Sequence, residues 1–107
     1  IAAEHNVSNG RFTASVTGTY ILTASYDLTT SGYVGGCGIR FNKNAGIILG
    51  FNFIATTASM TTAAPCIAVI VSLNATDYVT CQAYQDSGSN KNISNSTSTR
   101  FSAHRLK

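Results

Sequence analysis

Charge is scarce in this chain. Seven Lys and Arg stand against four Asp and Glu, and charged residues make up 10% of the 107 positions, against roughly 25% in an average soluble domain. The net charge of +3 is small and its basic residues are scattered, so no nucleic-acid surface is indicated. There is no tryptophan and a single proline, Pro65. No apolar run approaches the roughly 20 residues of a membrane helix, which speaks against membrane insertion. With four acids and two histidines, few catalytic constellations can be assembled. What fills the chain instead is Ser, Thr and Asn beside a hydrophobic content of 44%. That is enough for one core and one domain, residues 1–107.

Cysteine is also sparse and unpatterned. Cys37, Cys66 and Cys81 are odd in number and form no CxxC, so zinc and redox motifs are not expected. Free thiols are the simpler reading, a Cys66–Cys81 bridge the alternative. The start, IAAEHNVSNG, lacks the basic and apolar regions of a signal peptide. Beginning at Ile1, the chain reads as the C-terminal part of a longer protein or as a processed product.

The periodicity is that of strands. In residues 20–28, Tyr20, Leu22, Ala24, Tyr26 and Leu28 alternate with Ile21, Thr23, Ser25 and Asp27, a period of two with one apolar face. Cys37, Ile39 and Phe41 share a face in the next run. In residues 47–54, Ile47, Leu49, Phe51 and Phe53 share one face while Ile48 and Ile54 keep the other apolar, which predicts cover on both sides. Residues 66–73 are apolar on both faces, as in a central strand or a strand at a subunit interface. In residues 77–84, Val79, Cys81 and Ala83 alternate with Tyr78, Thr80, Gln82 and Tyr84, an amphipathic face of the kind used at interfaces. A last strand falls near 99–106. Turn-rich stretches separate these runs at 29–36, 42–46, 56–65 and 86–97. No 3.6-residue period supports a helix, so an antiparallel sandwich or barrel is expected.

Three stretches, in order, carry a resemblance. Gly10, Phe12, Ala14, Gly18 and Tyr20 fit G-x-F-x-A-x-x-x-G-x-Y. Leu73, Asp77 and Val79 follow an apolar strand, and Phe101, Ser102 and Leu106 close the chain. Together they resemble the globular head of complement subcomponent q, within the tumour-necrosis-factor-like superfamily. Thr76 departs from the glycine usual before the aspartate, Ala103 from a later glycine, and His104 from the usual aromatic. Against the family pattern, the first strand is absent or truncated before Ile1. The resemblance implies an all-β antiparallel jelly-roll sandwich that assembles as a trimer. The charge-poor, Ser/Thr/Asn-rich composition is similar to that of versions carried on phage tail fibres and other virion structures.

Candidate chemistry is thin. His5 and His104 lie near opposite ends, and neither has the acid and serine of a triad nearby in sequence. Asp77 is absorbed by turn chemistry, and no enzyme is expected. No carboxylate cluster suits calcium; Asp86 beside Ser87, Asn90 and Asn92 is a polar loop. No cofactor is implied. Sequons at Asn6, Asn74, Asn92 and Asn95 matter only on a eukaryotic secretory route. Carbohydrate recognition favours exposed aromatics flanked by amides and hydroxyls. Tyr33, with Asn42, Lys43 and Asn44 in the next turn and Lys91 in the 87–99 loop, are the candidate receptor-binding residues. Ile70, Tyr78, Tyr84 and His104 are the candidate trimer contacts.

The expectation is therefore a homotrimeric head on a virion surface. It would be a phage tail-fibre or spike domain binding a host-surface glycan or protein receptor. A capsid decoration protein seated on neighbouring virion proteins is one alternative. A secreted, lectin-like pattern-recognition domain of the same fold is the other.

Overall fold

The computed structural model describes the backbone of residues 5–6, 10–86 and 100–107, and the side chains of 10–27, 35–55, 64–86 and 100–107. These residues form eight strands: β1 (His5–Asn6), β2 (Arg11–Thr13), β3 (Gly18–Ser25), β4 (Leu28–Lys43), β5 (Ile47–Ala63), β6 (Cys66–Leu73), β7 (Tyr78–Gln85) and β8 (Arg100–Arg105). Two antiparallel sheets result, one in the order β1-β2-β7-β4-β5 and the other β6-β3-β8. Chain neighbours repeatedly fall in different sheets, so the chain crosses the sandwich rather than meandering along it. The fold is an all-β jelly-roll sandwich.

The core follows the alternation. Tyr20, Leu22 and Ala24 of β3 face Cys37, Ile39 and Phe41 of β4, and all are buried. Leu73 and Val79 close one end with Phe12 and Ala14. The Tyr20 hydroxyl donates to the Val16 carbonyl at 2.6 Å, and the Phe12 ring meets the Tyr20 ring edge-on at 5.6 Å. Fully burying side chains of this size contributes about 1.5–3 kcal/mol each. Just past β3, Tyr26 stands between the sheets. Its hydroxyl donates between the carbonyls of Gly38 at 2.8 Å and Tyr84 at 3.0 Å, so its polar tip is satisfied inside the core.

Two of the three motifs meet in space. The Ala14 N–H donates to the Asp77 carbonyl at 2.9 Å, and the Thr76 N–H to the Ala14 carbonyl at 2.8 Å. The Ala75 N–H adds a bond to Thr17 Oγ1 at 2.9 Å. Residues around 14 and 76 are thus one corner of the sandwich.

Several local expectations are corrected. The turn stretches expected at 29–36 and 56–65 are largely strand, because β4 and β5 form one long hairpin. That hairpin carries a bulge: Phe41 pairs with Gly50 but Asn42 with Ile48, leaving Leu49 as the extra residue. The bulge reverses the alternation, so Phe51 and Phe53 point outward while Leu49 and Ile54 pack on the core. β5 is therefore not covered on both sides. β6 is an edge strand rather than a central one: Ile67, Val69 and Val71 turn to the core, whereas Cys66, Ala68 and Ile70 are exposed. Asn52 fastens the two sheets at this edge, donating through Nδ2 to the Cys66 carbonyl at 2.7 Å. The opposite edge, β8, carries Arg100, His104 and Arg105, charge and polarity that discourage edge-to-edge pairing.

All three cysteines are free: Cys37 is buried, Cys81 half-buried and Cys66 exposed on the other sheet. Burial pushes the Cys81 thiol from 9.0 up to about 11.

Candidate recognition surface

The outer face of the five-stranded sheet is built by β5, β4 and β7. Across these strands the register sets Phe53, Gly38 and Tyr84 in one row and Phe51, Arg40 and Gln82 in the next. Glycine holds the middle of the Phe53–Tyr84 row, and the phenylalanine rings of β5 fall inward over Gly36 and Gly38. A Cβ at Gly36 would run into the tip of the Phe53 ring, and one at Gly38 would press on the Phe51 ring. Phe51 stacks on Phe53 with centroids 5.9 Å apart, and Phe53 meets Tyr84 at 5.8 Å. The three rings form a continuous platform, yet they are 53%, 43% and 47% exposed. Large aromatics left half in water at one place are unusual for a lone fold and make this face the candidate interaction site.

Polar groups bracket the platform. At one end Arg40 Nε donates to Gln82 Oε1 at 2.7 Å, which fixes the guanidinium plane beside the rings. At the other end the Gly36 N–H donates to Asp86 Oδ1, and the Asp86 N–H returns a bond to the Gly36 carbonyl at 3.0 Å. The second Asp86 oxygen lies 3.4 Å from the Tyr84 hydroxyl. Arg40, Phe51, Phe53, Gln82, Ala83 and Tyr84 together line an open groove of about 860 Å³. From beneath, Tyr26 holds the backbone of Gly38 and Tyr84.

The expected receptor residues are distributed differently. Asn44 and Lys43 stand at the β4–β5 turn and tie it to the neighbouring corner. Asn44 donates through Nδ2 to Asp77 Oδ1 at 2.9 Å and accepts from the Tyr78 N–H at 3.0 Å. Lys43 Nζ lies 3.5 Å from Asp77 Oδ2. Asp77 also caps its own turn, accepting from the Asn74 N–H at 2.8 Å. The Asn44 and Asn74 bonds, with the Lys43 charge beside them, hold its carboxyl below the ordinary 3.8. Asn42 Oδ1 is buried without a hydrogen-bond partner among the described residues. Tyr33 pairs through its backbone with Met60, and its side chain, like all of Lys91, lies outside the described residues.

The expected trimer contacts divide between the two sheets. Ile70 and His104 are brought together: each is the cross-strand partner of Ile21, so Ile70, Ile21 and His104 form one row across the outer face of the three-stranded sheet. Tyr78 and Tyr84 lie on the outer face of the other sheet. Tyr78 carries the Arg11 guanidinium 3.9 Å over its ring, and Tyr84 belongs to the platform. Sequence reading missed Phe51, Phe53, Arg40 and the two glycines as parts of a site. The alternation of 77–84 carried half of the signal, through Gln82 and Tyr84; the bulge concealed the other half. Among the described residues no group of three His, Cys, Asp or Glu is placed to hold a metal.

No protein-family model and no curated protein matches the sequence. Among solved structures the chain is similar to the globular domain of zebrafish complement 1qA protein. The TM-score is 0.54 and the identity 15%, over 95% of this chain and 70% of that one. At that identity the common property is architecture, and it agrees with the motif positions: Phe12, Ala14, Tyr20, Leu73 and Val79 are all core residues. The chain has the jelly-roll fold of complement-1q-type globular heads.

Proposed function

We propose that the chain is the head of a homotrimeric adhesion protein on a virion, of the tail-fibre or spike type. Three copies would hold a host-surface receptor at once. The observation that carries the reading is the row Ile70–Ile21–His104. Ile70 is 66% exposed on the edge strand β6, with the small residues Ala68, Thr23 and Ser102 in the adjoining row of the same face. An apolar residue presented this way is covered efficiently by a second copy of the chain, and three-fold closure satisfies every copy equally. The family whose fold it resembles assembles as a compact trimer. Avidity then multiplies weak single-site binding. The virion setting rests on composition: little charge, no tryptophan, abundant Ser, Thr and Asn.

A secreted recognition domain of the same fold is the second reading, favoured by the animal complement domain among its structural neighbours. Adsorption separates the readings. The labelled trimer should bind intact bacterial cells of a susceptible host and ignore empty capsids. Binding to capsids alone would establish a decoration role, and binding to neither, with N-glycans found at Asn74, would establish the secreted one.

A further inference from the structure

We infer that the Phe51–Phe53–Tyr84 platform is a binding site for a neutral hexopyranose glycan, laid with its axial C–H face on the rings. This rests on the recognition reading above and names its ligand. A pyranose ring offers one apolar face and a perimeter of hydroxyls that both donate and accept. The platform offers the complement: half-exposed rings in two steps of just under 6 Å, bracketed by donors at one end and an acceptor at the other. The donors are the Arg40 terminal nitrogens and the Gln82 amide nitrogen, which lie beside the rings and are not used by the Arg40–Gln82 bond. The acceptor is Asp86 Oδ2.

Three features argue for a sugar. The two phenylalanine rings pack over Gly36 and Gly38 and Tyr84 packs against Phe53, so the platform is preorganised and loses little freedom on binding. The Arg40 and Asp86 charges cancel across the site, which suits a neutral glycan better than an acidic one. The groove is lined by about six residues, against roughly 20–30 on each side of a stable protein interface.

The test is titration of the 107-residue chain with cellotetraose and lactose, read by amide shifts and by saturation transfer from the Phe51, Phe53 and Tyr84 ring protons. Saturable binding is expected. Phe53→Ala and Tyr84→Ala should each weaken it about tenfold, and Arg40→Ala should weaken it less. Phe53→Leu, which keeps apolar bulk without a π face, should melt near wild type and still lose binding. Wild-type affinity in Phe53→Leu would overturn the stacking mode. Binding of 3′-sialyllactose but neither neutral sugar would overturn the ligand class, and no ring saturation from any sugar would overturn the site. The solution mass of the same sample separates this inference from the trimer. A trimer without sugar binding refutes the glycan site alone, and a sugar-binding monomer refutes the trimer alone.

Discussion

The Phe53 ring lies across the backbone of Gly36, in the space that a side chain at position 36 would fill. The two residues stand on adjacent strands, and the absence of a side chain on one is the condition for the placement of the other. Gly36→Ala should therefore expel the ring and destabilise the fold by about 1–3 kcal/mol. In urea denaturation, the Gly36→Ala/Phe53→Ala pair should lose less than the sum of its single changes. Additive losses would mean that the ring does not rest on Gly36.

Thr76 adopts φ = +80°, a region where a β-branched residue is strained. Glycine adopts that region without strain. Thr76→Gly should gain about 1 kcal/mol in the same measurement. A net loss would show that contacts of the threonine side chain outweigh the backbone strain.

Asp77 links acidity to stability. Its hydrogen bonds to Asn44 and Asn74, with Lys43 nearby, depress the folded carboxyl below 3.8. A depressed carboxyl stabilises the fold fully above the unfolded value, and the contribution is lost as pH falls through the folded value. Thermal midpoints should thus decline as pH drops below about 4, and Asp77→Asn should flatten that decline while lowering the midpoint at pH 7. Parallel pH profiles for the two proteins would refute the linkage.

The thiols should separate kinetically. At pH 8 the folded monomer produced by Ile70→Asp should alkylate at Cys66, which is exposed in the single chain, while Cys37 is shielded by the core. Cys81, raised from 9.0 to about 11 by burial, should react slower than an ordinary thiol by about a hundredfold through its thiolate population alone. Peptide mapping after timed iodoacetamide quenches measures all three. Equal rates for Cys66 and Cys81 would contradict the assigned faces.

Strand parity made much of the core legible. Tyr20, Leu22, Ala24 and Tyr26 alternate as a half-buried strand must, as do Cys37, Ile39 and Phe41, and all seven are buried. The motif residues marked the corner where Ala14 meets Thr76 and Asp77. Parity failed at Leu49, because a bulge inserts one residue and reverses every face beyond it; Phe51 and Phe53 were thereby assigned with Ile47 and Leu49. Glycines 35 and 36 read locally as turn residues and Gly38 as a strand position, whereas all three lie in β4, and Gly36 and Gly38 are overlain by rings from a neighbouring strand. That relationship joins residues 17 and 13 positions apart in sequence through a register no local pattern encodes. Asn44 and Lys43 drew notice for their polarity, and their polarity serves the turn.

Trimeric assembly is tested most directly by the solution mass from light scattering after gel filtration, with Ile70→Asp run beside the wild type. The wild-type chain should elute at three chain masses and hold that mass on dilution, while Ile70→Asp should elute at one chain mass with its strand content intact. A wild-type mass of one chain would contradict the trimeric head.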